Sequence, residues 1–155
     1  MTMYNEDFMN LIIEKAQLET VDVPVCALIA KDNKIISIQT NKKEETFDPT
    51  AHAEMLAIKE ASGILKNWRL DDCDMYVTLE PCPMCAGAII SSRIKNLYFG
   101  SYDCKYGGFS TGLNLKSYAN SNLNIEGGKM EEDCNEILKE YFKKVRNEKA
   151  SGRTC

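Results

Sequence analysis

The chain has 155 residues, of which 44% are hydrophobic and 27% charged: enough for one domain with its own core, and far too polar for a membrane-embedded protein. Its net charge of −4 is the reverse of the basic footprint usual in nucleic-acid-binding domains. No apolar stretch approaches the roughly 18 residues of a membrane span, and Met1 to Asp7 lacks the basic start and apolar run of a signal peptide, so a cytoplasmic protein is expected.

Phe8, Leu11 and Ile12 recur at helical spacing and predict an amphipathic helix over residues 4–19. Val23 to Ala30 is apolar, Lys31-Asp32-Asn33-Lys34 is turn-like, and Ile35 to Gln39 follows, which predicts a hairpin. Asn41 to Thr50 reads as a polar loop, with Thr50 the expected N-cap of a second helix over 51–65. A strand is predicted over 74–79, a third helix over 83–92 and a further strand over 96–100. Residues 101–112 mix glycine and serine with aromatics and read as a loop that shapes a site.

A short helix is expected over 113–119 and a weak strand near 122–125. In the final helix Met130, Cys134, Ile137, Leu138, Tyr141, Phe142 and Val145 form an apolar stripe, and residues 147–155 are expected to be a flexible tail. Helices alternating with strands after an opening hairpin predict an α/β protein. The expected architecture is one domain over 1–155, a three-layer α/β/α sandwich around a mixed five-stranded sheet.

Charge is uneven along the chain. Residues 139–155 carry Lys139, Lys143, Lys144, Arg146, Lys149 and Arg153 against Glu140 and Glu148, a local balance of +4. Such a segment suits either a phosphate backbone or a solvated helix end. Seven cysteines without an export signal read as reduced thiols, and of these only Cys82 and Cys85 have ligand-like spacing.

The chemistry concentrates in two motifs. His52, the only histidine, lies in His52-Ala53-Glu54, and Pro81-Cys82-Pro83-Met84-Cys85 follows. One imidazole and two thiolates make three ligands, which leaves a tetrahedral zinc ion one open position for water. Glu54 is close to the ligand set without being needed in it, the place of a general base. Cys82 fits the N-cap of the third helix, with Pro83 at the first helical position. Both motifs then open helices, whose positive ends favour thiolates and developing oxyanions. A CxxC pair alone is compatible with redox chemistry or half a structural zinc site. The combination with HxE is far more specific.

On these residues the chain resembles the cytidine-deaminase-like superfamily, whose signature joins a metal-activated water to a glutamate that is not a ligand. Within it the resemblance to bacterial tRNA-specific adenosine deaminases is close. It runs through Val23-Pro24-Val25, Asp48 to Glu54, Trp68-Arg69-Leu70, Tyr76 to Ala88, Ser92-Arg93-Ile94 and Phe99-Gly100. The resemblance implies hydrolysis of adenosine to inosine at the wobble position of a tRNA anticodon arm, by a homodimer with one Zn²⁺ per subunit.

By position, His52, Cys82 and Cys85 match the family's metal ligands and Glu54 its proton shuttle. Asn41 matches a residue that hydrogen-bonds the target nucleoside, and Asp103 and Lys105 match the loop beside the anticodon nucleotides. Three departures concern the substrate end: Cys26 replaces a glycine expected at the pocket wall, Ser121 replaces a common histidine, and Gly108-Phe109-Ser110 is less glycine-like than the family's loop. Two competing functions remain. Guanine deaminases share the same two motifs, and a zinc-bearing subunit without activity could bind RNA or a partner.

Overall fold

The computed structural model describes residues 3–118 and 121–150. Helix α1 (Glu6–Gln17) is followed by the hairpin β1 (Cys26–Lys31) and β2 (Lys34–Thr40). A four-residue helix, α2 (Lys43–Thr46), interrupts the expected polar loop. Then come α3 (Ala53–Leu65), β3 (Cys73–Leu79), α4 (Pro83–Ser91), β4 (Asn96–Ser101), α5 (Leu115–Tyr118), β5 (Asn124–Glu126) and α6 (Glu131–Ala150). The five strands form one sheet in the order β2-β1-β3-β4-β5. β1 is antiparallel to both β2 and β3, whereas β3–β4 and β4–β5 are parallel, so the sheet is mixed as expected.

Alternation along the strands divides the core in two. Ala27 and Ile29 of β1, Met75 and Val77 of β3, and Leu97 and Phe99 of β4 face α3 and α4, meeting Ala53, Ala57, Ala61, Ile89 and Ile90. Cys26, Leu28, Ala30, Tyr76 and Tyr98 point the other way, onto Met9, Ile12 and Ala16 of α1 and Cys134 and Ile137 of α6. Each fully buried aliphatic side chain of this kind stabilises the fold by roughly 1.5–3 kcal/mol. With both faces covered, the central strands read as continuous apolar runs.

Cys26 therefore lies on the α1/α6 side. The expectation that it crowds the pocket wall is corrected: its side chain belongs to the opposite layer, where burial pushes its thiol up to about 12.

Small residues and side-chain ladders set the spacing. Ala57 and Ala61 are four apart on the buried face of α3 and let the helix lie close to the sheet, and Ser37 Oγ donates to Ala57 O at 2.9 Å. Gly100 is required where α6 crosses β4, since a Cβ there would come within 2.8 Å of both Cys134 Cβ and Thr78 O. Asn96 Nδ2 donates to Asp74 Oδ1 at 2.7 Å and Asn124 Nδ2 to Asn96 Oδ1 at 3.1 Å. This chain of amides ties β3, β4 and the short β5 in register at one end. The helix α6 continues to Ala150, through the start of the expected tail, and residues 151–155 lie outside the described residues.

Candidate active site

α3 and α4 bring the two motifs together through their N-termini. His52 is the N-cap residue of α3 and Cys82 that of α4, with Pro83 at the first helical position. The expected cap, Thr50, is not used: its N–H and its hydroxyl both donate to Asp48 Oδ1, at 2.8 and 2.6 Å, closing a turn around Pro49. Nor does the His52 side chain cap the helix, because it is turned to the cysteines. The cap comes instead from Asn41, at the end of β2. Its Oδ1 accepts from Ala53 N at 2.7 Å and its Nδ2 donates to Val23 O at 3.1 Å.

Asn41 thus ties the hairpin to the helix that carries His52, a role invisible in sequence because its partners lie far along the chain. Replacing Asn41 by Ala should lower unfolding stability by about 1–2 kcal/mol, as loss of a helix cap does. A denaturation midpoint equal to the parent's would show that the amide carries no structural weight.

His52 Nδ1 lies 3.6 Å from Cys82 Sγ and 3.6 Å from Cys85 Sγ, and all three donor atoms fall within 4.8 Å of one another. A tetrahedral zinc ion with Zn–N near 2.0 and Zn–S near 2.3 Å demands N···S edges of roughly 3.6 Å. The donor set fits zinc in chemistry and in spacing. Among the described residues it is the only group of three or more His, Cys, Asp or Glu donors close enough to share a metal ion.

Proton distribution at the site follows from these contacts. A hydrogen bond from Cys85, helped by His52, lowers the Cys82 thiol to about 4 and makes it a thiolate. Cys85, which gives that hydrogen bond and is itself buried, is held well above the usual thiol range. His52 is raised by its contact with Cys82. A divalent cation among the three would displace the shared protons and hold both sulfurs as thiolates. Glu54 is 4% exposed, and burial followed by the negative charge of Cys82 pushes its carboxyl up to about 7. A carboxyl tuned toward neutrality suits a group that must both take and give a proton.

Asp103 and Lys105 lie in the loop after β4. Asp103 Oδ1 accepts from the N–H groups of Lys105 (3.2 Å) and Tyr106 (2.9 Å), and Lys105 Nζ stands 5.2 Å over the Tyr106 ring. The loop is held from below by Glu80, which lies in the resembling Tyr76 to Ala88 segment but whose role the sequence does not show, because its partners come from beyond residue 102. Ser121 is occupied locally, its Oγ accepting from Leu123 N at 3.0 Å. Tyr141 and Phe142 stack edge to face at 5.2 Å on α6. Tyr141 lines a groove between α1 and α6, in the layer opposite α3 and α4, so its ring belongs to that face and not to the metal-donor set, and Phe142 is exposed beside it.

Comparison with known proteins agrees with this geometry. Residues 4–146 match the family model of the MafB19-like deaminases, which gives the class. The tRNA-specific adenosine deaminase of Aquifex aeolicus (strain VF5) is 43% identical over 148 residues, 94% of this chain and 98% of that protein. A solved structure from work on A-to-I editing by tRNA:A34 deaminases at the wobble position of transfer RNA is 37% identical. It covers 86% of this chain and 100% of its own, with a TM-score of 0.83. Guanine deaminase from Bacillus subtilis is 38% identical but covers only 64% of this chain and 66% of its own, with a TM-score of 0.62. The chain belongs to the tRNA-specific adenosine deaminase family.

Proposed function

We propose that this protein hydrolyses adenosine to inosine and ammonia at the wobble position of a tRNA anticodon arm, with His52, Cys82 and Cys85 holding one zinc ion. The observation that carries the reading is a buried Glu54 beside a three-donor set that does not need it as a ligand. Bound there, zinc would act as the Lewis acid that activates water for attack at C6 of the base. Glu54 would take one proton from that water and give it to the purine ring nitrogen, then carry the second proton from the attacking oxygen to the departing amine, so that water is consumed and ammonia leaves. Its burial keeps bulk water from short-circuiting the transfer.

Asn41 spends one amide hydrogen and its oxygen on the backbone, which leaves its second amide hydrogen for the nucleoside. Asp103 shapes the loop and Lys105 offers a cation toward phosphates flanking the edited base. A homodimer in the cytoplasm completes the reading, and a strictly monomeric sedimentation profile would count against the first part of it. No helix among the described residues is long and apolar enough to cross a membrane.

The deciding experiment offers purified zinc-loaded protein an anticodon stem-loop with adenosine at the wobble position, the same loop with cytidine there, and free guanine. Inosine is expected from the first alone. Turnover of guanine with none of the stem-loop would favour the competing free-base reading, which the partial match to the Bacillus subtilis enzyme keeps specific.

A further inference from the structure

Glu80 immediately precedes the Pro81-Cys82 ligand turn, and its side chain is 2% exposed. It accepts four hydrogen bonds, two on each oxygen. Oε1 takes Asp103 N at 3.1 Å and Ser110 Oγ at 2.6 Å, while Oε2 takes Phe109 N at 3.2 Å and Ser110 N at 2.9 Å. Every donor comes from one loop. That loop also touches the ligand turn directly, since Gly108 N donates to Pro81 O at 2.9 Å.

The fit leaves no room for a side chain at either glycine of the loop. A Cβ at Gly107 would run into the Glu80 carboxylate, and one at Gly108 would come within 2.7 Å of Ala86 Cβ on α4. The outer face of the same loop carries Lys105 and Tyr106, both exposed. Asp103 joins the two faces: its N–H is held by Glu80 and its carboxylate holds the N–H groups of Lys105 and Tyr106.

We infer that Glu80 is a positioning residue for the RNA substrate: its carboxylate clamps the Asp103–Ser110 loop onto the Pro81-Cys82 turn and so fixes the loop's outer face relative to the metal donors. The inference rests on the proposed function for its substrate, but its structural half stands apart. A carboxylate suits the loop because three of the four partners are backbone N–H groups that can only donate, with at least one on each oxygen, and the Ser110 hydroxyl donates as the fourth. Glutamine has the same shape, yet whichever way its amide is turned its NH₂ faces at least one backbone N–H. Aspartate keeps the charge but falls one methylene short.

The test compares the full-length, zinc-loaded parent with Glu80→Gln and Glu80→Asp. Hydrogen exchange should show faster exchange of the Asp103, Phe109 and Ser110 amides in Glu80→Gln. KM for the anticodon stem-loop should rise about tenfold, with kcat changed less than about threefold and zinc content equal to the parent's. Glu80→Asp should fall between the two. Unchanged exchange and KM would overturn the inference. Loss of zinc with a fall in kcat at constant KM would also overturn it, because Glu80 would then serve the ligand turn and not the loop.

Should Glu80→Gln fail to fold, Ser110→Ala removes one of the four donors only. It should raise KM by about threefold and speed exchange at Phe109 and Ser110. No change in either would refute the clamp. If the parent makes no inosine from the stem-loop, the proposed function fails, while the exchange comparison still decides what Glu80 does.

Discussion

Replacing Glu54 by glutamine is expected to slow inosine formation from the stem-loop by roughly 10²–10⁴-fold, the usual share of a positioned acid–base group. Zinc content should be unaltered, because the donor set is complete without this residue. The same change should strengthen the fold. Burial raises the Glu54 carboxyl from the ordinary 4.5 to about 7, so the folded chain holds this proton more tightly than the unfolded chain does. Ionisation then weakens the fold progressively as pH climbs from about 4.5 to about 7, and the whole cost is present above that window.

Glutamine does not ionise and avoids this cost. Thermal or denaturant unfolding of chelator-treated protein at pH 8 should find Glu54→Gln more stable than the parent by up to about 3.5 kcal/mol, at about 1.4 kcal/mol per pKa unit over the window from 4.5 to about 7. The gap should close toward pH 4.5. A variant with full activity would remove Glu54 from the chemistry, and one destabilised at pH 8 would contradict the burial argument.

Replacing His52 by alanine should empty the metal site while sparing the fold. The imidazole makes no capping bond, and the N-terminus of α3 is satisfied by Asn41. Two thiolates remain, but no other histidine exists to supply the missing nitrogen. Affinity for zinc should fall by more than about a hundredfold, since groups that merely support a ligand already cost 10–100-fold when removed. After dialysis, metal analysis should find close to one zinc per chain in the parent and almost none in His52→Ala, with inosine formation lost. Circular dichroism of the two proteins should superpose. Chelator should lower the melting temperature of the parent but leave that of the variant unmoved. Full zinc occupancy in His52→Ala would dismiss this histidine as a ligand.

The donor set was legible in the sequence because its spacing rules are local. Cys82 and Cys85 are three apart on a helix that Pro83 starts, and His52 and Glu54 share the opening of another. The sheet was legible for the same reason, as apolar runs punctuated by turn residues. What escaped depended on partners distant in sequence. Asn41 reads as a turn residue until Val23 and Ala53 close on it from either side. Glu80 reads as a strand-end acid until a loop beginning more than twenty residues later delivers four donors to it. Cys26 shows a different limit. Strand alternation puts it in phase with Leu28 and Ala30, yet with apolar residues on both faces the pattern could not say which face holds the chemistry.

The bond from Lys42 N to Ala51 O, 2.9 Å long, closes the segment between them at its base. Asn41 then fixes the start of α3 from outside that segment. The stretch around α2 is tied to the rest of the fold at one further point, where Glu44 N donates to the buried Asp22 carboxylate at 3.0 Å, and Phe47 stands outward at its tip. Doubling the length of such a loop adds only about 0.6 kcal/mol of closure entropy. Insertions or substitutions between residues 45 and 47, beyond that anchor, can therefore be tried without moving the address of His52.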